Sequence, residues 1–118
     1  MKAITLYGIA QCDTVKKARK FLEEHAVAHQ FHDFRQHSLT LDLLQSWQQA
    51  VSWEVLLNKR STTWKNLEPS LKHNLNPESA LQLMLQHPTL IKRPVLFAKG
   101  EIKIGFVEEE YKKLLVNQ

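Results

Sequence analysis
A chain of 118 residues, 43% hydrophobic and 24% charged, has the material for one compact domain with a single core and too little for a second. No run approaches the roughly 20 apolar residues of a membrane span, and Met1-Lys2-Ala3 leads into a short strand-like segment without a secretory apolar stretch, so a soluble, cytoplasmic protein is expected. Sixteen Lys and Arg against twelve Asp and Glu give a net charge of +4 scattered along the chain, which favours a small anionic ligand or an acidic partner over a dedicated nucleic-acid surface.

The segment "KAITLYG" mixes apolar and β-favouring residues and ends in Gly8, the pattern of a buried strand leaving into a loop. From Val15 onward Ala18, Phe21 and Leu22 recur at helical spacing, while Lys16, Lys17, Lys20, Glu23 and Glu24 fill the other face. "HQFHDF" reads as a second strand, which completes a βαβ unit with parallel strands. Between Thr40 and Leu85 the pattern is helical, with Ser52 and Asn76-Pro77 as start signals. "NKRSTTWKNL", residues 58 to 67, reads as an irregular stretch between these helices. "PVLFAKGEIKIGF" then gives two strands around Lys99-Gly100, a hairpin signal, and Val107, Tyr111, Leu114 and Leu115 mark a closing amphipathic helix. The expected order is βαβ, helices, ββα, without internal repeats or low-complexity segments.

Cys12 is the only cysteine, so an internal disulfide is excluded and any thiol chemistry needs an external partner. It falls where the first strand gives way to the first helix. The N–H groups of a helix start carry roughly half a positive charge and stabilise a thiolate. Lys16, Lys17, Arg60 or Arg93 would add to this if folded nearby. Asp13 opposes it if its carboxylate faces the sulfur, or caps the helix and faces solvent. The alternative is that Cys12 is a small buried hydrophobe.

Two further stretches stand out. In "IKRPVLF", Pro94 suits a strand's first residue, and because X-Pro bonds are cis in only about 5–6% of folded cases the residues alone favour a trans Arg93-Pro94 bond. Arg60 lies in a polar stretch that could hold a ligand or simply be solvated. His25, His29, His32 and His37 lack the spacing of a structural metal site, and no metal is expected. Trp47, Trp53 and Trp64 have apolar neighbours and suit packing better than base stacking.

"YGIAQCDTVKKARKFL", "LLNKRSTTW" and "IKRPVL…IGF", in that order, resemble the family that unites ArsC arsenate reductases, Spx regulators and YffB-like proteins, and most closely the YffB branch. The resemblance spans essentially the whole chain. It implies an α/β, thioredoxin-like mixed four-stranded sheet, with a core of about 1–38 and 88–118 and a helical insertion of about 39–87 in one ArsC-like domain 1–118. It also implies that Cys12 is a nucleophile, that Pro94 is cis, and that Arg60 and Arg93 bind an anion. Arsenate reductases of the family carry a third arginine after the "IG" of the last strand; Phe106 stands there, and an apolar ring cannot hold an oxyanion as a guanidinium fork does. Spx proteins of the redox-switch type carry a CxxC pair, whereas this chain has Cys12-Asp13-Thr14-Val15.

A monothiol oxidoreductase that uses glutathione as co-substrate is therefore expected. Arg60, Arg93 or Lys92 would bind the glutathione carboxylates; the resemblance implies that the backbone before Pro94, at Arg93, pairs with the bound peptide, and the N–H of Thr14 would complete the cradle. A glutaredoxin-coupled arsenate reductase and an RNA-polymerase-binding regulator are the alternatives. A glutaredoxin or a protein disulfide is the expected partner of a monomeric protein, with no bound cofactor, nucleic acid or membrane.

Overall fold
The computed structural model describes residues 4–116. They fall into two compact units, one drawn from Met1–Ser38 with Arg93–Gln118 and one from Leu39–Lys92.

The first unit is built on a mixed four-stranded sheet in the order β2-β1-β3-β4. Strand β1 (Thr5–Gly8) runs parallel to β2 (Gln30–Asp33) and antiparallel to β3 (Val95–Ala98), which pairs antiparallel with β4 (Glu101–Ile104). With α1 (Asp13–Glu24) crossing between β1 and β2, this is the α/β, thioredoxin-like arrangement. The β1 segment "KAITLYG" begins in part outside the described residues. Its Leu6 lies opposite Leu96, both fully buried, and they join Ala18, Phe21 and Leu22 of α1, Ala98 and Tyr111 in one cluster. Each fully buried Leu contributes about 1.5–3 kcal/mol, so this cluster anchors α1 to the sheet.

The β3-β4 hairpin turns at Lys99 (φ 53°) and Gly100 (φ 79°). Positive φ at both central residues matches the twist of the flanking strands, which is why the glycine belongs there. The closing helix departs from the 3.6-residue expectation. Only α7 (Glu108–Tyr111) is α-helical, and Lys112–Val116 continues in wider π-type turns. Tyr111 is buried, but Val107 is the exposed residue capping the helix and not part of its apolar stripe.

The second unit is helical. Thr40 caps α2 (Leu41–Ala50), Ser52 caps the single turn α3 (Trp53–Leu56), and Asn76 with Pro77 opens α6 (Pro77–Gln86) through a reciprocal capping box with Ser79. Helices α2 and α6 pack together, with Leu44, Trp47, Ala80, Leu81 and Met84 buried. Residues 58 to 67 are more ordered than their sequence suggests. Ser61 Oγ accepts the Trp64 N–H and starts α4 (Thr62–Asn66), which is followed by α5 (Pro69–Lys72). The ammonium groups of Lys59 and Lys72 lie 5.7 and 5.4 Å from the Trp64 ring centroid. No helix among the described residues is long and apolar enough to cross a membrane.

One close approach packs the end of β1 against the first turn of α1. A Cβ on Gly8 would sit 2.7 Å from Val15 Cγ2, so only glycine lets the end of β1 pass the first turn of α1. Gly8→Ala is therefore expected to cost about 1–3 kcal/mol through overpacking, read as a lower urea midpoint at unchanged m-value. A midpoint equal to wild type would show that the two elements have room to part.

Candidate active site
Cys12 is the N-cap of α1, with extended backbone at φ −74° and ψ 128°. Its N–H donates to Ile9 O (3.0 Å), and its carbonyl accepts the Lys16 N–H (2.9 Å). No oxygen-bearing side chain caps the helix at this residue. The thiol is thus set against the first turn of a 12-residue helix whose leading N–H groups have no intrahelical partner. Asp13 occupies the first helical position and is exposed, so it is not the cap.

Partial burial pushes the Cys12 thiol up. Acting against this are the Val15 N–H, the Arg93 guanidinium, which hydrogen-bonds the sulfur and adds its charge, and the Thr14 N–H. Together they outweigh burial and hold the thiol below its ordinary value. A larger share of Cys12 is consequently thiolate at neutral pH, which is the form that attacks disulfides and alkylating reagents. By linkage, a depressed folded-state value means that the ionised thiol favours the folded state above the unfolded pKa, and this contribution is lost as pH falls through the folded pKa.

Of the residues singled out in the sequence, Cys12, Thr14, Arg93 and Pro94 lie in the sheet unit. Pro94 is buried, the Arg93-Pro94 peptide bond is cis, and Pro94 O accepts the Gly105 N–H at 2.8 Å, tying the start of β3 to the end of β4. Lys16 and Lys17 are exposed on α1. Arg60 belongs to the helical unit, where it is exposed and its N–H donates to Asn58 Oδ1 at 3.0 Å. Lys92, at the end of that unit, donates its N–H to Leu56 O at 2.8 Å.

Phe106 is partly buried, with its ring centroid 5.8 Å from that of Phe21 and 4.8 Å from that of Tyr111. Phe21 stands about 13 Å along α1 from Cys12 at 1.5 Å per residue. Phe106 thus belongs to the aromatic packing over the distal part of α1.

Sequence reasoning missed two contributors. The Val15 N–H is a backbone group and carries no side-chain signal. Asp33, at the end of β2, accepts the N–H of Ala10 in the loop before Cys12 (3.3 Å) and that of Arg35 (2.7 Å). The histidines bond to nearby carbonyls: His25 to Phe21 O, His29 to Val27 O, and His32 to His37 O.

Residues 7–114 match the model of the ArsC family. A Haemophilus influenzae protein described only as uncharacterised is 48% identical over 108 residues, covering 92% of this chain and 95% of its own. The global transcriptional regulator Spx 2 of Bacillus cereus is 29% identical over 95% of this chain and 86% of its own. A solved YffB protein superposes with a TM-score of 0.94 at 39% identity, covering 97% of this chain and 100% of that one.

If Arg93 helps to hold the thiol low, Arg93→Ala should move the midpoint of the pH profile for Cys12 alkylation upward. The rate at pH 7 should then fall about threefold to tenfold, with the two rates converging at alkaline pH where both thiols are ionised. Superimposable profiles would assign the whole shift to the helix N–H groups.

Proposed function
Because the chain belongs to the ArsC family, we propose that it is a glutathione-dependent thiol-disulfide oxidoreductase with Cys12 as its single nucleophile. The observation that supports this reading best is a lone thiol held below its ordinary value by two backbone N–H groups and Arg93. The substrate would be a glutathione mixed disulfide on a small molecule or a protein. Cys12 thiolate attacks the glutathionyl sulfur, the S–S bond breaks, and the substrate leaves as a thiolate that takes a proton from water. A second glutathione thiolate then attacks the Cys12 adduct, forming oxidised glutathione and freeing Cys12. The incoming glutathione sulfur is oxidised as the substrate sulfur is reduced, and the transferred glutathionyl sulfur stays at the disulfide level throughout.

In this reading Arg93 has two roles, lowering the thiol pKa and binding a glutathione carboxylate, and Arg60 binds a second carboxylate. The Thr14 N–H steadies the sulfur, and the backbone before Pro94 pairs with the glutathione peptide. The protein acts as a monomer, and a glutaredoxin or a second glutathione can resolve the adduct. Arsenate is disfavoured as a substrate because Phe106 replaces a third cationic fork, leaving a strongly hydrated anion with one face unpartnered. The likeness to Spx 2 favours a second reading, a regulator that binds RNA polymerase and does no thiol chemistry.

Incubation with oxidised glutathione followed by intact-mass measurement separates these readings. The wild type should gain one glutathionyl group and Cys12→Ser none, with Arg60→Ala and Arg93→Ala slowed, more so at low salt than at high salt. No adduct under forcing conditions would exclude the oxidoreductase. In a parallel assay with glutathione and glutaredoxin, arsenate should be reduced far more slowly than a glutathione mixed disulfide; equal efficiency would make arsenate the substrate.

A further inference from the structure
Among the described residues Asp33 is the only charged residue that is buried, at 9% exposure. Burying a carboxylate is costly unless its oxygens are satisfied. Neither ion pair among the described residues includes it, and its compensation comes from backbone N–H groups on two different segments.

The segment before the nucleophile is a tight turn closed by the Cys12 N–H on Ile9 O, with Ala10 and Gln11 as its central residues. That closure leaves the Ala10 N–H without a partner inside the turn, and Asp33 Oδ2 accepts it from outside at 3.3 Å. Oδ1 of the same carboxylate accepts the Arg35 N–H at 2.7 Å, while the Asp33 carbonyl accepts the N–H groups of Gln36 and His37. Two neighbouring links join the same segments with the donors on the other side: the Phe34 N–H donates to Gly8 O (2.8 Å), and Arg35 Nη1 donates to Gln11 Oε1 (3.2 Å). The turn after β2 thus grips residues 8, 10 and 11, and Cys12 follows directly. Asparagine at position 33 would be nearly the same size but has one acceptor oxygen where two donors must be met; its amide would confront an N–H with an N–H. Only a carboxylate meets both.

We propose that Asp33 is a positioning residue that fixes the Ala10-Gln11-Cys12 segment so that the sulfur faces the first N–H groups of α1 and Arg93. It does not touch the sulfur and acts through the loop. The inference rests on the thiol reading of Cys12, but its test uses no glutathione, so it can fail or stand independently of the proposed substrate.

The test is the pH profile of Cys12 alkylation by iodoacetamide in Asp33→Asn, with a thermal melt of the same sample. A displaced thiol loses part of its stabilisation, so the rate at pH 7 should fall about threefold to tenfold as the midpoint moves up, while the alkaline plateau stays near that of wild type. A purely electrostatic role gives the opposite sign, because removing a negative charge lowers a neighbouring thiol pKa and speeds alkylation. A purely structural role lowers the melting temperature and leaves the midpoint in place. Either of those two results overturns the proposal. Should Asp33→Asn fail to fold, hydrogen exchange in the wild type decides. The Ala10 amide should be protected to a degree comparable with that of Phe34, and exchange at the rate of an exposed loop would overturn the proposal.

Discussion
The site depends on a competition at one sulfur atom. Burial makes the Cys12 thiolate costly, and the Val15 N–H, the Arg93 guanidinium and the Thr14 N–H together more than offset that cost. Two of the three are backbone groups that exist because a helix begins there, and the other comes from Arg93, two residues before β3. The chemistry of the thiol is therefore set by where α1 starts and by what approaches its first turn, and the local sequence around the cysteine supplies only part of it.

The sheet makes this arrangement possible. Strand β1 is central, between β2 and β3, so one end of it brings together the loop before Cys12, the turn after β2 and the residues leading into β3. Gly8 pairs with Asp33 in the β1-β2 register, and Tyr7 pairs with Val95 in the β1-β3 register. Those registers put Asp33 beside the loop and Pro94 beside the end of β1. The apolar cluster of Leu6, Ala18, Phe21, Leu22, Leu96, Ala98 and Tyr111 holds α1 against this sheet. Phe106 packs its ring against that cluster, on Phe21 and Tyr111.

Much of the fold was legible because strong local signals coincide with long-range requirements. Lys99-Gly100 marked the hairpin since a two-residue turn needs positive φ, and Asn76-Pro77 marked α6 since a cap and a missing donor suit a helix start. Other features were hidden for physical reasons. Thr62 and Thr63 are weak helix formers, so the short α4 shows only through the Ser61 cap. A 3.6-residue projection placed Val107 on the buried stripe of the last helix, but Lys112–Val116 is wound differently and Val107 is the cap. In the site, Cys12 at a helix start was readable from strand and helix periodicity. That Arg93 hydrogen-bonds the sulfur required the tertiary fold, since the sequence offered it only as one of four cations that could approach the thiol and the resemblance gave it only an anion-binding role. Asp33 resembled any polar residue of a half-buried strand, because nothing local reveals that its carboxylate reaches across to Ala10.

The most direct measurement of the central claim is a pH titration of thiolate ultraviolet absorbance, the Cys12→Ser spectrum subtracted, beside the pH dependence of the reaction with oxidised glutathione. The account predicts that both curves rise with one midpoint clearly below about 8.5, the value of an unperturbed cysteine. An absorbance midpoint at or above that value, or a reaction rate that does not follow the thiolate, would contradict it.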